Sequence, residues 1–177
     1  IDTKRDFADA HYNLGNALRE LSKLDEAVAC YRKAVEIKPD YAEAHSNLGA
    51  TLQELGQTDE AVIHYHKAID TKRDFAEAHY NLGNILGQQG HLKEAQKAFE
   101  QAISLDGKRP LPHYGLGVIH QRSGQYSKAI TAFKQALFLN PKLKQAHLFL
   151  AKIYDEMGQE QNAFFHTRAA EKISGQP

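Results

Sequence analysis

Three sets of residues in this chain have types and spacings that could do chemistry. Five histidines, His11, His45, His79, His113 and His147, recur every 34 residues, and a ladder of imidazoles raises the question of a metal. The single cysteine, Cys30, raises the question of thiol chemistry. Asn13, Asn47 and Asn81 share the same 34-residue spacing. A row of amides, each with two donors and an acceptor, can pair with the backbone of an extended peptide whatever its side chains.

The first two possibilities fail on distance and context. Groups on neighbouring packed helices lie about 8–10 Å apart, whereas ligands of one zinc sit about 2.0–2.1 Å from the metal. The five histidines are therefore read as side chains filling a slot between helices, and His64 and His66 lie on different faces of another helix. Cys30, beside Tyr31, is read as a small packed side chain. The sequence contains no Ser/His/Asp set, paired-carboxylate cleft, glycine-rich phosphate loop or CxxC pair. No catalysis, cofactor or metal is expected.

The elements that must position the asparagines follow from the same period. Leu14-Gly15, Leu48-Gly49, Leu82-Gly83, Leu116-Gly117 and Leu150-Ala151 keep the 34-residue step, as do Ala27, Ala61, Ala95, Ala129 and Ala163. So do Ala34, Ala68, Ala102, Ala136 and Ala170. A period in this range denotes a stack of supersecondary units rather than one globular core. Numbered from Ala8 as position 1, the units are 8–41, 42–75, 76–109, 110–143 and 144–177, without insertion or deletion. Apolar residues at positions 7, 8 and 11, and again at 20, 24 and 27, mark one face of each of two helices. Gly56, Gly90, Gly124 and Gly158 at position 15 suit a helix end that needs positive φ. The small residues at 8, 20 and 27 let the helices approach closely, so that a bulky replacement would overpack the contact. Each unit reads as helix–turn–helix, and the fold class as all-α.

Composition narrows the function further. Lys plus Arg and Asp plus Glu are both 22, interspersed rather than blocked, so no basic surface calls for nucleic acid. No run of 18 or more apolar residues calls for a membrane span. One cysteine allows no internal disulfide and favours a reducing, cytoplasmic setting. Ile1 is not a natural start, which points to a piece of a longer chain. Residues 1–7 read as the tail of a preceding repeat, since 1–16 match 69–84 everywhere except Asp9 against Glu77, an echo at twice the repeat length.

The 34-residue period, the Leu-Gly pair, alanines at 20 and 27, Tyr31, Tyr65, Phe99 and Phe133 at position 24, and Pro39 and Pro141 at 32 resemble the tetratricopeptide repeat (TPR) family over essentially the whole chain. The last unit departs, with Thr167 at position 24 and the pair Phe164-Phe165 just before it. The resemblance implies a right-handed superhelical solenoid of antiparallel helix pairs, whose concave face is lined by positions 2, 5, 6, 9, 12 and 13 of each first helix. Those positions carry Asn13, Asn47 and Asn81, flanked by Asn16, Asn84, Tyr12, Tyr80 and Tyr114. The segments YNLGN and SNLGA look like the superhelical TPR region of O-linked N-acetylglucosamine transferases, where asparagine at this position holds peptide backbone. The ladder breaks at Gly115 and Phe149, and Leu111, Val118 and Leu148 make the later repeats more apolar.

The function expected from these residues is a non-catalytic scaffold holding an extended peptide segment of a partner protein. A clamp for the acidic, carboxylate-tipped tails of heat-shock proteins is excluded, because Asp9, Glu43, Glu77 and Asn81 stand where cations would be needed. Two alternatives remain: the substrate-recruiting arm of a glycosyltransferase, and a structural scaffold that self-associates through an array end, where Phe164 and Phe165 are expected to be exposed.

Overall fold

A computed structural model describes residues 3–175. Ile1 and Asp2 of the expected leading tail, and Gln176 and Pro177 of the last unit, lie outside the described residues. The described residues form ten α-helices and no strand: α1 (Thr3–Glu20), α2 (Leu24–Ile37), α3 (Ala42–Glu54), α4 (Thr58–Thr71), α5 (Ala76–Gln88), α6 (Leu92–Leu105), α7 (Pro110–Arg122), α8 (Tyr126–Leu139), α9 (Lys144–Glu156) and α10 (Glu160–Ser174). The all-α, helix-pair architecture is the one the periodicity predicts. The chain divides into two compact units, Ile1–Gln89 and Gly90–Pro177. In the first, α1 packs on α2, α2 on α3, α3 on α4 and α4 on α5; in the second, the same chain of neighbours runs from α6 to α10.

The turns inside the helix pairs are governed by backbone conformation. Gly56, Gly90, Gly124 and Gly158 have φ of +77°, +86°, +70° and +68°, and an added Cβ would meet nothing within 4 Å. Glycine is needed there for its φ, not for space. In the first turn the same position is Ser22, the one described non-glycine residue with positive φ, at 58°.

The packing constraint lies between the two helices of a pair. Tyr31, Tyr65, Phe99 and Phe133 at position 24 are at most 2% exposed. A Cβ placed on Gly15 would lie 2.7 Å from the Tyr31 ring, one on Gly49 3.0 Å from Tyr65, and one on Gly117 2.7 Å from Phe133. The glycine at position 8 thus admits the ring at position 24. Where that ring is absent, at Thr167, position 8 carries Ala151 instead. Ala27, Ala61, Ala95, Ala129 and Ala136 are fully buried and keep the remaining helix contacts close.

One heptad takes two conformations. At 69–75, IDTKRDF ends α4 at Thr71, turns with the Phe75 amide donating to the Lys72 carbonyl (3.1 Å), and starts α5 at Ala76. At the front of the chain, the described residues 3–7 of the same heptad continue as helix into α1.

Two stability changes follow. Ser22→Gly relieves a left-handed backbone and should raise unfolding free energy by about 1 kcal/mol. Gly117→Ala pushes a methyl against Phe133 and should lower it by about 1–3 kcal/mol. Urea denaturation followed by circular dichroism measures both.

Candidate functional site

In the first unit α3 contacts both α1 and α5, so the first helices of three successive repeats lie side by side. Their shared polar face carries most of the predicted residues, and part of it is already occupied by internal hydrogen bonds. Asn47 Nδ2 donates to Asn16 Oδ1 (2.8 Å) and to the Tyr12 hydroxyl (3.3 Å). Tyr31 donates its hydroxyl to the same Asn16 Oδ1 (2.7 Å). Burial pushes the Tyr31 hydroxyl up to about 12, so it remains a donor. Both amide hydrogens of Asn47 are therefore used, and the pair presents the Asn47 carbonyl oxygen and the Asn16 amide hydrogens outward from this network. Tyr12 is held at its other side by the Tyr41 ring, 5.0 Å between centroids.

Asn16, Asn47 and Tyr31, with Arg19, Glu20 and Glu54, line a polar hollow of about 420 Å³. Arg19 Nε donates to Glu54 Oε1 at 3.1 Å. Gln53 donates to Gln88 at 3.4 Å in the next pair of repeats, while Tyr65 donates to Gln53 at 3.0 Å. Position 12 of one repeat thus links to position 13 of the next, twice. Arg19, Glu54, Gln53 and Gln88 were not singled out from the sequence; their positions were, but their mutual pairing spans 35 residues.

The other predicted residues have different surroundings. Asn81 is half-buried on α5, and the residues corresponding to the partners of Asn47 are Ser46 and Ala50, so the same amide network cannot form. Asn84 and Tyr80 are half-buried on that helix, and Asn13 is exposed on α1. Tyr114, in the second unit, packs its ring 5.7 Å from Phe133 and 5.9 Å from Phe149, with Phe133 and Phe149 stacked at 5.4 Å. The break in the ladder has a packing cause: a Cβ at Gly115 would lie 2.6 Å from the Phe99 ring. Phe164 and Phe165 are 65% and 64% exposed on α10, and Phe164 borders a cleft of about 770 Å³ between α9 and α10.

The recurring histidines have a structural task that spacing alone did not reveal. Nε2 of His45, His79, His113 and His147 lies 3.0, 3.2, 3.1 and 3.3 Å from the carbonyl oxygens of Pro39, Arg73, Gly107 and Pro141. Each imidazole therefore donates to the turn that precedes its own helix, tying one repeat to the next. In two repeats a second histidine 19 residues on completes a pair: His45 Nδ1 is 3.0 Å from His64 Nδ1, and His147 Nδ1 is 2.8 Å from His166 Nδ1. With Nε2–H of the first ring committed to the turn, the second ring must donate. Burial, and then the neighbouring ring, push His64 and His166 down to about 4. Lys67 and Arg32 add to the depression of His64 and Glu60 opposes it; Lys134 adds to that of His166. No group of three or more His, Cys, Asp or Glu among the described residues could hold a metal ion. No helix there is long and apolar enough to cross a membrane.

Models of the tetratricopeptide repeat match residues 15–56, 40–108 and 110–143, and the chain belongs to the TPR family, whose repeats serve as protein-interaction scaffolds. Among curated proteins none matches significantly. Solved structures share the fold. PilF from Pseudomonas aeruginosa superposes with a TM-score of 0.89 at 24% identity, over 99% of this chain and 80% of its own. MamA from Desulfovibrio magneticus RS-1 gives 0.86 at 20% identity, over 96% of each chain. YrrB, described as a TPR protein with an unusual peptide-binding site, gives 0.76 at 21% identity, over 92% of this chain and 84% of its own.

The histidine pairs set a pH dependence. The folded pKa values of His64 and His166 lie below the ordinary histidine value near 6.5, so protons bind the unfolded chain first. Stability should be steady above pH 6.5 and fall as pH drops from about 6.5 to about 4, by at most about 1.4 kcal/mol per pH unit for each pair. Urea midpoints across that range in the parent and in a His64→Asn/His166→Asn variant measure it, and the variant should show the shallower slope.

Proposed function

We propose that the first unit binds an extended peptide segment of a partner protein along the polar face of α1, α3 and α5. The observation that carries this reading is the hollow lined by Asn16, Asn47, Arg19 and Glu54, where one amide offers its carbonyl and the next its N–H hydrogens. That is the complement of a peptide group, which presents one donor and one acceptor. Asn81 and Asn84 continue the face, with amides not drawn into the network that holds Asn47. Tyr12 and Tyr80 would flank the backbone, while Asn13 would extend the row at the α1 end. Tyr114, set among Phe133 and Phe149, would contribute ring surface to a side chain rather than a hydrogen bond to backbone.

The YNLGN and SNLGA segments favour a particular form of this reading, in which the module recruits substrates for a glycosyltransferase of the O-linked N-acetylglucosamine type. YrrB's peptide-binding site supports peptide capture on this fold in general. No residue of the chain is assigned to catalysis, and a reducing, cytoplasmic setting suits the lone Cys30. A second reading, self-association through the α9–α10 end, is favoured by the exposure of Phe164 and Phe165 beside an open cleft.

A peptide array probed with the chain should select internal, extended segments rather than carboxylate-tipped acidic tails. Asn81→Ala/Asn84→Ala should weaken the selected peptides by roughly tenfold or more, at about 1 kcal/mol per lost hydrogen bond, with helicity unchanged. Unaltered affinity would overturn the assignment of these asparagines. Asn47→Ala is a poorer probe, since it also strips partners from Asn16 and Tyr12. For self-association, light scattering should show mass rising with concentration in the parent and not in Phe164→Ser/Phe165→Ser; a parent that stays monomeric at high concentration removes that reading.

A further inference from the structure

On the other side of the helix pairs, the histidine at position 4 faces position 23, and what stands at 23 differs between repeats. His64 fills it in the second repeat and His166 in the fifth; in the fourth it is Ala132. The same groove, between successive second helices and the first helix they share, can therefore be compared with and without its imidazole inside one chain.

In the α2–α3–α4 groove, His64 lies edge to edge with His45, ring centroids 5.2 Å apart and planes 24° from parallel, with the Nδ1 atoms 3.0 Å apart. Arg32 crosses above it to both carboxylate oxygens of Glu60, at 2.8 and 3.0 Å, and Leu48 beneath is fully buried. The α6–α7–α8 groove lacks both features. Beside Ala132 a cleft of about 640 Å³ is lined by Ile103, Leu116 and His113, against about 400 Å³ beside His45 in the α2–α3–α4 groove. Leu116 is partly exposed, unlike Leu48 and Leu150 in the two repeats that carry the histidine pair. The positions of Arg32 and Glu60 are taken by Glu100 and Lys128, which both line the cleft, and Glu100 accepts from Gln96 at 2.8 Å. His113 keeps its Nε2–H on the Gly107 carbonyl at 3.1 Å, which leaves Nδ1 as the acceptor on the cleft side, as in His45 and His147.

We propose that this cleft binds a histidine side chain offered by a partner polypeptide, seated on His113 where His64 and His166 sit in their own repeats. The two internal pairs define the fit: a flat ring of imidazole size, set edge to edge with the position-4 ring, with one N–H donated to Nδ1 at about 3 Å. A phenyl ring would fill the same volume and leave His113 Nδ1 unpaired as it is covered, which costs binding. The rim of Ser104, Ser127, Thr131 and Gln135 is polar and exposed, suited to the peptide groups on either side of the incoming histidine.

The test is an NMR titration of the chain with 4-methylimidazole, well above that ligand's pKa, reading the His113 ring resonances. A saturable shift is expected, with toluene as the phenyl analogue giving at least a fivefold weaker response. A blocked pentapeptide with central histidine should bind more tightly than 4-methylimidazole, because it alone reaches the rim. Ala132→His, which supplies the ring internally, should abolish the response, and Ala132→Leu, which fills the cleft without a donor, should do the same if the first variant folds poorly. Asn81→Ala/Asn84→Ala should leave it unchanged, separating this site from the polar face of α1, α3 and α5. The proposal is overturned by the absence of a saturable shift, by an equal shift in both filled variants, or by toluene binding as well as the imidazole.

Discussion

The contact on which the rest of this structure depends is the close approach of a glycine on the first helix of a repeat to an aromatic ring on the second. A hydrogen in place of a methyl at Gly15, Gly49 or Gly117 lets the ring of Tyr31, Tyr65 or Phe133 lie flat against backbone. With that spacing set, the remaining geometry follows. Position 4 comes within hydrogen-bond reach of the preceding turn and faces position 23, while positions 5, 6, 9, 12 and 13 gather on the opposite side. The exchange of ring and glycine for Thr167 and Ala151 in the last repeat shows the two positions acting as a unit.

Polar links then join one repeat to the next on both sides. On the side of the first helices these are Asn47 to Asn16, Arg19 to Glu54 and Gln53 to Gln88; near the turns they are the imidazole-to-carbonyl bonds. Two of the amides proposed to meet a peptide, Asn16 and Asn47, are thus drawn from the same set that holds the helices in register. Asn47 is the clearest case, since its donors serve the fold and only its carbonyl remains to offer. A surface built this way is preorganised, because its side chains are already fixed before a ligand arrives.

Much of this was legible from periodicity. The helix pairs, their turns and the buried alanines follow from a 34-residue step and two apolar stripes per unit, because an α-helix converts spacing directly into a face. The positions of the groove residues were legible for the same reason. Their mutual engagement was not: Asn47 and Asn16 are 31 residues apart, and no local pattern says which amide donates to which. His64 and His66 seemed to belong to different faces with nothing to do, yet His64 pairs with His45 across 19 residues, a spacing that has meaning only once the two helices are packed. The loss of asparagine at Gly115 was visible as a break, and its cause, the Phe99 ring, was not.

By itself the sequence determined that this chain is a TPR array of helix pairs, since each repeat carries its helix faces, and all but one the turn glycine and all but one the packing glycine, within 34 residues. Tertiary structure decided what each surface offers. The clearest witness is IDTKRDF: at 69–75 it breaks between α4 and α5, where Lys72 lies over the Phe75 ring at 4.9 Å and the Arg73 carbonyl receives His79. At the front of the chain the described residues of the same heptad run on as helix into α1. Local propensity allows both forms, and the turn at 69–75 draws on a partner that the heptad does not contain, the His79 imidazole.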